Sequence, residues 1–365
     1  MLTLIALAIS FTVSFFLIPV VIKIFKSIDL LDIPDNRKVH RSNAPSLGGL
    51  AFFVGFILAI FTALDGPEFY ELKYFIASII MIFMLGVRDD IASLEARQKF
   101  AVQILAALII VFVSDIRFFG LYGILGITDL PYNLELVISV LFIIGVTNAF
   151  NLIDGIDGLA GSIGAVSCVV LGWCFLILGL NGYSVIAFSL SGSLIAFLFF
   201  NWFPSKIFMG DTGSMLVGFV VAVLSIAAMN ASSLSVDLPI AETLPLIVAI
   251  LSIPVYDTLK VFIVRVLNGR SPFYPDRNHI HHSLLKIGLN HGQATLTLFL
   301  FTLVEVWVGY SFSSILGLNL ILGFLLLNVI LFGLVIDRIV MKKKYLGSNV
   351  TTFKTSDISK SKRNS

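Results

Sequence analysis

Apolar runs divide the sequence, most of them near the roughly 20 residues that a helix needs to cross a membrane. They cover residues 1–22, 47–64, 74–87, 100–114, 133–149, 160–180, 184–203, 213–230, 243–263, 294–314 and 319–337, eleven in all. Hydrophobic residues make up 58% of the chain and charged residues 13%, against roughly 45–50% and 25% in soluble domains, which excludes a soluble enzyme. The expected fold is an all-α polytopic membrane protein with about eleven transmembrane helices. The third, fourth and fifth runs are short, so flanking residues must complete those spans. No basic stretch precedes the first run and no small-residue cleavage pattern ends it, while Lys23 and Lys26 follow directly. It reads as a retained span, not a signal peptide.

Cytoplasmic loops collect Lys and Arg. Alternating the loops with the N-terminus outside places 22 of the 24 basic residues on the inner side, leaving Lys73 and Arg117 outside. The expected topology is N-out, C-in, in a bacterial inner (cytoplasmic) membrane. Residues 1–344 form one membrane domain, with no soluble domain and no solenoid repeat. Residues 345–365, rich in Ser, Thr and Lys, read as a disordered cytoplasmic basic tail near anionic lipid. Two cysteines exclude a disulfide framework. Cys168 and Cys174 lie about 9 Å apart along one helix, beyond the usual disulfide reach, and read as packing residues.

The acids give the chain its chemistry. Asp89 and Asp90 follow the third run, Asp154 and Asp157 the fifth, and Asp211 the seventh, all at the inner face. A carboxylate at the membrane boundary is costly unless it is hydrated, paired or metal-bound, so five of them suggest one shared polar site. Each alone also fits a solvated helix end or a cap. If 148–158 is helical, Asn148, Asn151, Asp154 and Asp157 form a polar stripe at spacing three. Gly155, Gly158, Gly161 and Gly164 continue it, as bare backbone for a ligand or for helix packing. Gly210-Asp211-Thr212-Gly213-Ser214 sets an acid between glycines where an apolar run ends. Such oxygens suit Mg²⁺, which is held by one or two protein oxygens together with substrate phosphates.

The inner loop at about 264–293 is long enough to be a structured active-site loop. It carries Arg277, His279, His281 and His282 within six residues. Zinc is one reading, but no cysteine lies nearby and the spacing is unusual for it. Donors to phosphate oxygens fit better. Arg37, Lys38, His40 and Arg41 cluster in the first inner loop, as phosphate ligands or as a positive-inside anchor.

Taken in order, Gly86-Val87-Arg88-Asp89-Asp90, the Asn148 to Gly158 segment, Gly210 to Ser214 and the loop ending His279-Ile280-His281-His282 resemble the polyprenyl-phosphate N-acetylhexosamine-1-phosphate transferases. The likeness runs from about Asp29 to Gln293. The histidine loop is similar to that of the WecA/TagO-like branch and departs from the three consecutive histidines of the phospho-MurNAc-pentapeptide transferases. The resemblance implies transfer of a sugar 1-phosphate, most often from UDP-GlcNAc, to undecaprenyl phosphate, with release of UMP and a need for Mg²⁺, Mn²⁺ being an alternative. It implies Asp211 and Asn151 as metal ligands, Asp89, Asp90, Asp154, Asp157 and Lys99 as catalytic residues, and Asn148, Arg277, His279, His281, His282, Arg37, Lys38 and His40 as substrate-binding residues.

The chemistry agrees with this. Two phosphates repel as they meet, so the reaction is mainly positioning and charge neutralisation. A phosphate monoester has its second pKa near 6 and is mostly a dianion at neutral pH, so a catalytic base has little proton to remove. Asp89 and Asp90 are therefore expected to orient the lipid phosphate, Lys99 or a metal-bound water. An ion-coupled transporter is the competitor from another class. Its sites lie near the bilayer midplane, whereas these runs lack mid-helix charge apart from Glu305, a packing partner or a lipid contact. A lipid-phosphate phosphatase or CDP-alcohol transferase would share the phosphate chemistry but not the joint motifs. The expected partners are a UDP-N-acetyl sugar, undecaprenyl phosphate and membrane lipid, without nucleic acid; a homodimer is an open alternative, and neither the sugar nor the glycan pathway is specified.

Overall fold

The computed structural model describes residues 1–27, 47–271 and 279–361, with side chains as far as Tyr345. These residues form helices apart from loops and an isolated bridge between Ile124 and Ile127. In chain order the helices are α1 (Leu2–Ser27), α2 (Gly48–Ala63), α3 (Gly66–Ile91), α4 (Ala96–Leu108, continued by a wider π turn over Ile109–Val113) and α5 (Tyr132–Ile153). They continue as α6 (Leu159–Ile177), α7 (Asn181–Asn201), α8 (Gly210–Ser233), α9 (Ile240–Leu267), α10 (Ile280–Lys286), α11 (His291–Leu316) and α12 (Leu318–Ser361).

Ten of the described helices are long and apolar enough to cross a bilayer, against about eleven expected. The difference is α2, whose 16 residues extend about 24 Å at 1.5 Å per residue, short of a ~30 Å hydrocarbon layer. The short third and fifth runs gain residues at both ends and the fourth at its start, α3 beginning at Gly66 with Pro67 in its first turn. The helix of α12 passes Lys344, where the sequence reading placed a disordered tail; its span ends at Tyr345. Both cysteines are free and buried.

At the centre stands α8. It is apolar all round and buried along its whole span, the pattern of a helix enclosed by others. Helices α2, α3, α5, α6 and α9 pack around it. Its entry is stitched to α2, where the Gly48 and Gly49 N–H groups donate to the Phe208 and Met209 carbonyls at 2.9 and 3.0 Å. Against α3 the approach is closer still: a Cβ on Gly86 would sit 2.3 Å from Thr212 Cα. Helix α11 begins with a reciprocal cap, Asn290 and Gln293 each accepting the other's backbone N–H at 2.8 and 3.0 Å. Glu305 of α11 is buried and accepts from Asn328 of α12 at 2.7 Å, so it is a paired packing residue.

Gly86→Ala tests this close approach. Overpacking of a rigid backbone contact costs about 1–3 kcal/mol, so the thermal midpoint in detergent should fall; an unchanged midpoint would show that α3 and α8 have room to part.

Candidate active site

Helix ends build the site. The last turn of α3, the first turns of α4 and α8, the end of α5 and the turn after it all lie at one end of the bundle, where Asp89, Asp90, Lys99, Asn151, Asp154 and Asp211 meet. Two placements differ from the sequence reading. Helix α5 stops at Ile153, so the stripe is helical only for Asn148 and Asn151, and Asp154 and Asp157 lie in the turn that leads to Gly158. That turn closes where Gly158 adopts φ +77° and donates its N–H to Asn201 Oδ1 at 2.8 Å. Asp211 opens α8 in its first turn and does not end the preceding span.

Asp90 of α3 crosses to the N-terminus of α8 and accepts the Asp211 N–H at 2.8 Å and the Thr212 N–H at 3.0 Å, with the Thr212 hydroxyl as a third donor. A helix start leaves its first N–H groups without intrahelical partners, and this carboxylate satisfies two of them from a neighbouring helix. Asp89, 6% exposed, accepts the Leu94 N–H at 2.7 Å and pairs with the Lys99 ammonium. Lys99 also reaches Asp211 Oδ2 at 2.8 Å. Asp211 Oδ1 receives the Asn151 amide at 3.0 Å, and the same amide reaches Ser214 Oγ at 3.0 Å. Groups from α4 and α5 thereby converge on the Asp211 carboxylate, while α3 holds its backbone N–H.

Asp154 is half-buried beside this group. Enclosure, and then the nearby carboxylates of Asp211, Asp90 and Asp157, hold its pKa well above the ordinary 3.8. Among the described residues Lys99 pairs with Asp89 and Asp211, and Asp90 and Asp154 adjoin Asp211, an acid-rich group that suits a hard divalent ion. Among the described residues no three acids or histidines already converge as a closed coordination shell. Mg²⁺ needs only one or two protein oxygens, so the donor set fits it.

The histidines come in from α10. His281 is buried against the turn after α5, close enough that a Cβ on Gly155 would lie 2.4 Å from its Nε2. Burial, and then His282, His279 and His291, push its pKa well below 6.5. The rings of His281 and His282 are 4.3 Å apart, centroid to centroid. Asp157 is buried and lies 3.6 Å from His291 Nδ1, while its carbonyl accepts from Thr295 at 2.7 Å. Asn148 is turned to α4, donating to Gln103 Oε1 at 2.9 Å. Arg37, Lys38, His40 and Arg277 lie outside the described residues.

Asp257 was passed over, and it corrects the reading that the spans hold no charge but Glu305. It sits inside the ninth apolar run, fully buried, with Oδ2 2.9 Å from His279 Nδ1 and Oδ1 accepting the Ile280 N–H at 2.6 Å. A lone acid one turn from Lys260, near the end of a long apolar run, was the available signal. His291 was missed as well, since nothing in the sequence shows that α11 starts beside Asp157.

A glycosyl transferase family 4 model matches residues 72–229, a stretch holding Asp89, Asp90, Asp154, Asp157 and Asp211 but neither Asp257 nor Glu305. The chain is 33% identical over 302 residues to the probable undecaprenyl-phosphate N-acetylglucosaminyl 1-phosphate transferase of Bacillus subtilis, covering 81% of this chain and 78% of that protein. It is 33% identical over 301 residues to the decaprenyl-phosphate N-acetylglucosaminephosphotransferase of Mycolicibacterium smegmatis, with 76% and 72% covered. A third relative, the undecaprenyl-phosphate alpha-N-acetylglucosaminyl 1-phosphate transferase of Salmonella typhi, is 30% identical over 328 residues, 87% of this chain and 86% of its own. With such identity over most of both partners, this multi-pass membrane protein belongs to glycosyl transferase family 4.

Proposed function

We propose that the protein transfers N-acetylglucosamine 1-phosphate from UDP-GlcNAc to undecaprenyl phosphate, releasing UMP, at the cytoplasmic face of a bacterial inner membrane. The observation that carries this reading is the junction of Asp89, Lys99, Asn151 and Asp211 at the ends of four helices, with the histidines of α10 packed on the adjoining turn. The relatives' names supply the sugar phosphate and the polyprenyl acceptor. The crowding of 22 of the 24 basic residues into alternate loops supports the orientation.

Lys99 is held between Asp89 and Asp211, which directs its ammonium to the middle of the acidic group. There it offsets charge as two phosphates approach. Neither Asp89 nor Asp90 has the surroundings of a mobile base: Asp89 is committed to Lys99 and the Leu94 N–H, and Asp90 to the start of α8. The acceptor phosphate is already mostly a dianion, so orientation is the work left to them. His279, His281 and His282 flank the site as ligands for the donor's diphosphate. Asp211 and Asn151 would hold Mg²⁺, which when bound supplies charge neutralisation at the phosphates. A transporter is disfavoured by the position of the acids at helix ends.

Beside α5, α9 and α12 runs a cavity of about 650 Å³ walled by apolar side chains, among them Phe142, Leu251, Val255, Tyr256 and Ile330, with Lys260 on its lining. Along α9 it reaches from Leu244 to Val264, about 30 Å at 1.5 Å per residue. That length matches the hydrocarbon layer and suits a polyprenyl tail.

Purified protein given UDP-GlcNAc and undecaprenyl phosphate should release UMP, and chelation of divalent cations should stop it. Asp211→Ala should lower turnover at least ~10²-fold with the fold retained, in line with loss of an oriented electrostatic group; near wild-type turnover at ordinary Mg²⁺ would remove Asp211 from the mechanism.

Asp154 gives the pH dependence. Its folded-state pKa is raised, so above the ordinary 3.8 the folded protein without cation binds more protons than the unfolded chain, and this contribution destabilises as pH rises. A cation bound beside it favours the carboxylate, so Mg²⁺ affinity should weaken on acidification and binding should release protons. Asp154→Asn should flatten that dependence; an affinity independent of pH in the wild type would dissociate Asp154 from the cation.

A further inference from the structure

We propose that Asp257 is a positioning residue for His279, deciding which ring nitrogen meets the substrate. Its carboxyl group is fully buried, and its oxygens are divided between His279 Nδ1 at 2.9 Å and the Ile280 N–H at 2.6 Å. The backbone N–H can only donate, so Oδ1 is committed as an acceptor. A carboxylate has no proton to give, so Nδ1 must carry the hydrogen. The opposite tautomer would set a nitrogen lone pair against the lone pairs of Oδ2. His279 therefore meets a ligand through Nε2, on the other edge of the ring. Donation from Nε2 to a phosphate oxygen then requires the imidazolium, the form with a hydrogen on both ring nitrogens. By holding the ring and the first N–H of α10 together, Asp257 also fixes where α10 begins against α9.

Among the described residues, the charged and titratable groups nearest His279 besides Asp257 are His281, His282 and Lys260. His281 stacks on His279 at 5.5 Å and has its Nδ1 3.9 Å from Asp257 Oδ2, too far for a hydrogen bond. His282 lies 6.3 Å from His279, and Lys260, one turn along α9, is paired with Asp337 of α12 at 2.7 Å. This inference rests on the proposed reaction, because the task it gives His279 is to hold the donor's diphosphate.

Asp257→Asn in the full-length protein is the test. The amide oxygen can still accept from Ile280, but its NH₂ would face Nδ1 and impose the Nε2–H tautomer, leaving a neutral donor toward the diphosphate where the wild type presents a cation. Turnover of UDP-GlcNAc with undecaprenyl phosphate should fall about 10- to 100-fold, the usual effect of losing a histidine's orienting partner. The double variant with His279→Ala should be no slower than His279→Ala alone. Nitrogen spectra of ¹⁵N-histidine-labelled protein should show His279 with Nδ1–H in the wild type and Nε2–H in Asp257→Asn. Turnover of Asp257→Asn within about twofold of wild type, or losses that multiply in the double variant, would overturn the proposal. If His279→Ala alone leaves UMP release unchanged, the donor-binding reading fails instead. The spectra then decide the positioning separately: an unprotonated Nδ1 in the wild type refutes it.

Discussion

The arrangement depends on how the buried first turn of α8 is satisfied. A helix start leaves its first N–H groups without partners in its own backbone, and a buried one left unsatisfied costs about 1–3 kcal/mol. Asp90 answers this from α3, taking the N–H groups of Asp211 and Thr212. The contact is close because Gly86, one turn earlier on α3, offers bare backbone to Thr212. Capping, packing and chemistry are thus joined, since the capped turn is the one that carries Asp211. A shift of α8 along its axis would move Asp211 away from Lys99 and Asn151 together.

Much of this was legible in the sequence. The apolar runs identify the spanning helices because the bilayer imposes a length, and the acids stand out because charge is rare in such a chain. The convergence of Asp89, Lys99, Asn151 and Asp211 followed from each lying at the same end of its run. The details that failed concern local geometry. Spacing by three suggested a continuous helical stripe from Asn148 to Asp157, but Gly155 and Gly158 allow the chain to turn, and the turn admits His281 against Gly155. Asp257 stands out in the sequence only as a lone acid in an apolar run, because its two partners, His279 and the Ile280 N–H, come from 22 and 23 residues further along, and no periodicity within one helix reports a partner from another.

The acids have unequal duties despite their similar appearance in the sequence. Asp90 serves backbone, Asp89 holds a lysine, and Asp211 gathers groups from two other helices. Asp154 has a weaker set of partners and keeps its proton more readily. The difference arises from environment: a carboxylate that accepts several donors is fixed in place, whereas one crowded by other carboxylates and holding fewer donors is free to answer a cation.

The pair between Glu305 and Asn328 has a consequence for the outermost helix. Apolar helix surfaces in lipid can slide past one another with little change in contact energy, so a single polar pair can select one register among many. Asn328 sets α12 against α11, and nine residues further on Asp337 meets Lys260 of α9. At 1.5 Å per residue the two anchors are about 13 Å apart, two and a half turns on a rigid rod. A slip of α12 by one turn would break both at once, so the two pairs select the single register that sets Ile330 in the wall of the apolar cavity.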